Sequence, residues 1–236
     1  MSDIFTDDLQ AALVASGCPI CRVVADAVRR WMDSFWREGR NDRDARGAFF
    51  AAGGFCREHA LLLEAIAQGT RGGAAIADVY RWLAKRDIEL LAAASKHISG
   101  GHRRRRLQLE RHRRCPACEE TEAATERKLS FLVDALRSAR TRERYASSDG
   151  LCMPHLLDAA VQAAPDEPEV SRFLLDDGRH RLANLRAQLD EFDRKRDHRF
   201  RDEPKGTEQL APAQAIRRYV GGAADLRQGR SSASPP

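Results

Sequence analysis

Six cysteines and two histidines in this chain are spaced as metal ligands. Cys18 and Cys21 lie in CPIC, and Cys56 and His59 follow in GFCREH after a gap of 34 residues. Further along, Cys115 and Cys118 lie in CPAC, and Cys152 and His155 in GLCMPH. The same four residue types recur in the same order at nearly the same spacing. All six cysteines of the chain fall in these motifs and none is spare. Three thiolates and one imidazole form a soft, tetrahedral donor set, the chemistry of a closed structural zinc site. A catalytic zinc usually keeps only three protein ligands and a water, so four ligands per set point away from catalysis. An iron–sulfur cluster or a redox-responsive dithiol would use the same cysteines and stays open as the alternative. A thioredoxin-like reading of CPxC expects a βαβ context, which this sequence lacks.

The elements that position these residues read as helices. In CPxC the proline suits the first helical position, where its missing N–H costs nothing, so both cysteines sit at a helix start. Cys56 and His59 are likewise three apart at a helix start, on adjacent faces. Val24, Val28, Met32 and Phe35 recur at helical spacing and predict a helix over 19–38. Asp42 can cap a shorter helix over 43–52, which ends at Gly53-Gly54. A third helix begins near Cys56, and a fourth carries Ile76, Tyr80, Leu83, Leu90 and Ala94. The second half repeats this, with helices predicted over 116–138 and 153–163, a short TRERYASS piece between them, and a long helix from Val170 to Phe192. Trp31, Trp36 and Trp82 fall on helical patterns and are expected to pack in the core. No period-2 strand pattern stands out, and the expected fold class is all-α.

The two halves are one unit written twice. Cys18 maps onto Cys115 at an offset of 97, and Cys56 onto Cys152 at an offset of 96. Phe49 with Tyr145, Gly54 with Gly150 and Leu61 with Leu157 share the second offset. That period fits duplication of a small domain better than a solenoid. The expected division is a first metal-binding repeat at 1–100, a basic linker at 101–114, a second repeat at 115–200, and a tail at 201–236. The simplest assignment closes each site within its own copy. One would join Cys18, Cys21, Cys56 and His59, the other Cys115, Cys118, Cys152 and His155, with two Zn2+ ions per chain. In the tail, Leu210, Ala213, Ile216 and Val220 suggest one further amphipathic helix.

Charge is local rather than global. The net charge is +5, but segment 101–114 alone holds seven Arg against one Glu, and the rest of the chain is close to neutral. Arg103, Arg104, Arg105 and Arg106 could serve a nucleic-acid partner, but the segment has no aromatics to stack on bases, and a solvated linker is the simpler reading. The acidic start lacks a signal-peptide pattern, and no run approaches 18 apolar residues, so a cytoplasmic protein without a membrane span is expected. No paired carboxylates, Ser/His arrangement or phosphate loop stands out, and no catalytic residue is assigned. The reading is a non-enzymatic binding or adaptor module with a protein partner.

The motifs also carry a resemblance. CPIC…GFCREH, HRFRDEP and AIRRYVGG resemble a bacterial family of domain-of-unknown-function proteins with CPxC…GFCxxH motifs and a YRFRxEP-like C-terminal segment. The resemblance covers the chain up to about residue 222 and implies metal-binding cysteines, with no activity attached.

Overall fold

The computed structural model describes residues 2–39, 41–68, 73–99, 114–200 and 202–222. Among these residues the regular structure is helical throughout, as the periodicity predicts: α1 (Ser2–Val14), α2 (Pro19–Ser34), α3 (Arg43–Ala51), α4 (Arg57–Gln68), α5 (Gly73–Ser99), α6 (Pro116–Ala135), α7 (Ala139–Ala146), α8 (Met153–Ala163), α9 (Pro168–Arg194) and α10 (Ala211–Val220). None of these helices is long and apolar enough to cross a membrane.

Local chemistry sets the boundaries. Asp42 caps α3 as expected, its carboxylate accepting from the N–H groups of Asp44 and Ala45. The helix predicted over 19–38 is α-helical only to Ser34 and continues as a π-helical turn, Phe35–Gly39. The wider turn lets two consecutive large side chains, Phe35 and Trp36, both bury.

The chain forms two compact units: Met1–Asp26 with Ala124–Pro236, and Ala27–Ala123. They do not follow the division at 1–100, 101–114, 115–200 and 201–236 expected from the repeat. The first turns of α2 belong to the unit that holds the second copy, and the first turns of α6 to the unit that holds the end of the first. Residues 101–113 of the basic segment, with Arg103 to Arg106, lie outside the described residues.

In the Ala27–Ala123 unit the core is aromatic. Phe35, Phe49, Val79 and Leu83 are buried, with Trp31, Phe50 and Phe55 packed against them. Phe49 and Phe55 meet edge to face at 4.9 Å. Trp82, expected to pack, is instead 61% exposed, and Lys85 lies over its ring. It projects from α5 away from the side that buries Val79 and Leu83.

The other unit packs α8 and α10 on the long helix α9. Leu156, Ala159, Ala160, Ala163, Val170 and Leu174 are buried there. The buried Ser171 hydroxyl donates to the Ala160 carbonyl at 2.8 Å, so its polar atom is satisfied. α10 forms as predicted, but with the other face inward. Leu210 and Ile216 are exposed and Ala211 is buried, with Arg218 half-buried on the inner side. The inner side is chosen by Arg218, whose guanidinium reaches two loop carbonyls described below.

Candidate metal centres

The donors converge in two groups, but across the copies. Centre 1 is Cys18, Cys21, Cys152 and His155; centre 2 is Cys56, His59, Cys115 and Cys118. Within each group the ligating atoms lie within 4.8 Å of one another. The within-copy sets expected above, Cys18/Cys21/Cys56/His59 and Cys115/Cys118/Cys152/His155, are therefore corrected. Each centre takes its CPxC pair from one copy and its CxxH pair from the other. The reason lies in the units: centre 1 falls wholly in Met1–Asp26 with Ala124–Pro236, and centre 2 wholly in Ala27–Ala123.

Each centre is built from two helix starts. In centre 1, Cys18 stands before Pro19 at the start of α2, and its carbonyl accepts from Arg22 N–H at 3.2 Å. Cys152 is the N-cap of α8, in extended backbone, and its carbonyl accepts from Leu156 N–H at 2.8 Å. In centre 2, Cys115 precedes α6 and accepts from Glu119 N–H at 3.1 Å, while Cys56 precedes α4 and accepts from Ala60 N–H at 2.8 Å. The positive ends of four helix dipoles thus face thiols, which favours the thiolate form.

The donor separations are similar in the two centres. Cys21 Sγ and Cys152 Sγ are 3.7 Å apart, and His155 Nδ1 lies 3.5, 3.4 and 3.2 Å from the sulfurs of Cys18, Cys21 and Cys152. Cys56 Sγ and Cys118 Sγ are also 3.7 Å apart, and His59 Nδ1 lies 3.2, 3.7 and 3.5 Å from the sulfurs of Cys56, Cys115 and Cys118. All six thiols are free. Both imidazoles turn Nδ1 toward the sulfurs. His59 Nε2 is 3.5 Å from the Thr121 hydroxyl, which itself donates to the Ala117 carbonyl at 2.6 Å. That leaves the Thr121 oxygen to accept from Nε2–H and hold the tautomer that frees Nδ1.

Proton affinities reflect the crowding of sulfur. Hydrogen bonds from Cys152 and Cys21 hold the Cys18 thiol far below its ordinary range, against the effect of burial. The same contacts with Cys18 and Cys21, together with burial, drive Cys152 far above it. Burial works against a charged His155, yet the sulfurs of Cys18 and Cys21 overcome it and push the imidazole up to about 10. In centre 2, burial and then Cys56 push Cys118 up to about 12. Burial opposes a charged Cys56, but the backbone N–H of His59 and the other two thiols bring it below its usual value. Burial also lowers His59, partly offset by Glu58. Three sulfurs this close repel one another when ionised, and a cation among them would relieve that repulsion, so each group could hold a metal ion.

Two arginines missed by the sequence reading position the CxxH loops. Arg181 on α9 donates to the carbonyls of Tyr145, Ala146 and Ser148 and pairs with Asp177 at 2.6 Å. Gly150, at φ +70°, lies so close to that guanidinium that a Cβ would come within 2.7 Å of Nε. Arg86 on α5 donates to the Phe50 carbonyl, and Phe50 is the repeat counterpart of Ala146. The signal was in the sequence, since the two arginines are 95 residues apart, one residue short of the repeat offset.

Centre 1 has further supports. Gly17 N–H donates to Asp149 Oδ2 at 2.6 Å, joining the CPIC loop to the DGLC loop. Arg218 on α10 donates to the carbonyls of Leu151 and Asp149. Beyond α10, Gly222 N–H donates to Cys21 Sγ at 3.2 Å. The Gly221-Gly222 turn thus lies against the sulfurs of the centre.

Comparison with known proteins places the chain in a family of unknown function. Searches of curated proteins and of solved structures each found no match. A family model described as a family of unknown function (DUF6062) matches residues 4–225. With nearly the whole chain matched, including all eight Cys and His donors, the protein belongs to that family.

Proposed function

We propose that each centre holds one Zn2+ ion, two per chain, and that the protein is a non-enzymatic binding or adaptor module whose metals are structural. The observation that carries this reading is the spacing of the donor atoms. With Zn–S of about 2.3 Å and Zn–N of about 2.0–2.1 Å, a tetrahedral ion sets its donors about 3.8 Å apart between sulfurs and about 3.5 Å between sulfur and nitrogen. The sulfur pairs at 3.7 Å and the sulfur–nitrogen pairs at 3.2–3.7 Å fit those edges in both centres. A disulfide would need about 2.05 Å, far less than any pair here. An iron–sulfur cluster places several atoms between its cysteines and would spread the sulfurs well beyond these separations.

Cys18, Cys21, Cys152 and His155 would hold one ion, and Cys56, His59, Cys115 and Cys118 the other. Bound there, zinc supplies the positive charge that lets three thiolates lie in contact. Four protein donors leave no coordination position for a substrate or reacting water, which favours a structural role. Function then falls to the helical surface, with a protein as the partner; nucleic acid through Arg103, Arg104, Arg105 and Arg106 is the lesser reading. Unbridged thiols fit a reducing compartment, and the cytoplasm is the proposed location.

The test is elemental analysis of protein purified anaerobically under reducing conditions. The expected result is a colourless protein with two zinc ions per chain. A brown protein carrying iron and acid-labile sulfide would overturn the reading.

A further inference from the structure

The two centres share ligands and spacing but not surroundings. In centre 1, Cys18 is 8% and Cys152 2% exposed, while Cys21 and His155 are half-buried. The turn after α10 lies directly over the sulfurs. Gly221, at φ +76°, approaches so closely that a Cβ would stand 3.1 Å from both Cys21 Sγ and Cys152 Sγ. Gly222 adds its N–H to Cys21. Both positive-φ conformations favour glycine, and the near contact leaves little room for a side chain at 221. Arg218, one turn earlier, fixes the helix to the Cys152 loop through the Leu151 and Asp149 carbonyls.

Centre 2 lacks these features among the described residues. Cys56, His59 and Cys118 are half-buried, and of its four donors only Cys115, 9% exposed, is buried. The repeat counterpart of Asp149 is Gly53, which has no side chain to clasp the CPAC loop. The position matching Gly17 is Arg114, which precedes α6 and pairs instead with Glu122 on that helix. Among the described residues, neither a glycine turn nor a distant backbone N–H lies on its sulfurs.

We infer that the centres are functionally unequal: centre 2 is an exchangeable metal site open to a competing thiol ligand, and centre 1 is locked by the C-terminal Gly221-Gly222 turn. The inference rests on the zinc reading above. Substitution at a filled tetrahedral site needs an incoming donor to approach while one protein donor departs. Cys56 or Cys118 gives up its bond to the ion as an incoming thiolate forms one. The freed sulfur then takes up the proton that the incoming thiol has shed, and no electron changes hands. At Cys21 and Cys152 the same approach is blocked by backbone, and the turn must first lift away. The partner class for centre 2 is therefore a small thiol or a cysteine-bearing metal carrier.

The experiment uses the full-length protein loaded with zinc, after its stoichiometry has been measured. A chromophoric chelator in excess reports release over time, and a parallel sample is treated with N-ethylmaleimide and read by peptide mass spectrometry. The expected result is two phases of one equivalent each, the second about tenfold slower or more, with Cys56 and Cys118 labelled before Cys18, Cys21 and Cys152. Gly221→Val should speed the slow phase and leave the fast one unchanged. A single phase for both ions, labelling of Cys21 or Cys152 first, or a slow phase untouched by Gly221→Val would overturn the inference. If Gly221→Val does not fold, the labelling order in the unaltered chain still decides. Fewer than two zinc ions at the start refutes the zinc reading itself; two ions with equal release refutes this inference alone.

Discussion

Crossed pairing makes a prediction that the within-copy assignment reverses. Replace Cys21 and Cys152 by Ser together, and in a second variant replace Cys21 and Cys56. In the structure Cys21 and Cys152 serve one centre, their sulfurs 3.7 Å apart. The first double variant should keep one metal and the second none. Within-copy sites would give one metal for Cys21→Ser/Cys56→Ser and none for Cys21→Ser/Cys152→Ser. Stability should follow the same logic. Centre 1 ties residues 131 apart in sequence and centre 2 residues 62 apart. Treated as cross-links, loops of those lengths constrain the unfolded chain by about 5 and about 4 kcal/mol. Cys21→Ser should thus cost about 5 kcal/mol, and adding Cys152→Ser almost nothing more, a coupling far above the ~0.5 kcal/mol scatter of independent sites. Adding Cys56→Ser instead should cost about 4 kcal/mol further. The assays are elemental analysis of purified protein and denaturant unfolding followed by circular dichroism. One metal retained by Cys21→Ser/Cys56→Ser and none by Cys21→Ser/Cys152→Ser would refute the crossed geometry outright.

Three further outcomes follow from single contacts. Gly178→Ala would place a Cβ 2.4 Å from Cδ2 of the buried Leu156; overpacking of ~1–3 kcal/mol exceeds the gain in helix propensity, so urea unfolding should show a net loss of about 1–2 kcal/mol. Tyr145→Phe removes the acceptor of the buried Leu151 N–H beside Cys152 and should cost about 1–3 kcal/mol in the same assay. Glu208 is buried and accepts from Gly206 N–H and Lys195, which hold its carboxyl down to about 2, from an ordinary value of 4.5. Its folded pKa is depressed, so its contribution is present above about pH 4.5 and is lost as pH falls toward 2. Glu208→Gln should therefore melt below the parent at neutral pH, with the gap narrowing as pH drops below about 4.5; a gap that stays constant down to pH 3 would remove the carboxylate from this account.

The sequence displayed the donor residues but not their partners, and the reason is specific. Every CPxC is followed by a CxxH at nearly equal distance, so both pairings satisfy the same ligand count, order and helix-start geometry. What selects the crossed arrangement are contacts with no motif: Gly17 with Asp149, and Arg218 with the loop before Cys152. Helix positions were legible because apolar spacing and caps are local, as Asp42 shows. The inward face of α10 was not, because its apolar stripe of Leu210 and Ile216 points outward while an arginine reaches in. Periodicity locates a helix, but side-chain hydrogen bonds to loop carbonyls decided its rotation. Trp82 illustrates the same limit, since a large apolar residue on a helical pattern need not face the core.

The crossed pairing also constrains how the chain can fold. When synthesis has delivered only the first copy, Cys18, Cys21, Cys56 and His59 are all available and their true partners are not. A metal ion captured then could close only the within-copy set. That loop is shorter than either native one, with 34 residues between Cys21 and Cys56, and closing it costs less entropy by about 1 kcal/mol than spanning 131 residues. Local closure is thus favoured early, and the native arrangement must win later through packing. The packing that can do so belongs to elements still to come. Asp149 receives Gly17, Arg181 sets the Cys152 loop, and the Gly221-Gly222 turn settles on Cys21 only once almost the whole described chain exists. Centre 1 is therefore completed by the last described elements, and its locked state follows from being the point where the first and last described segments meet.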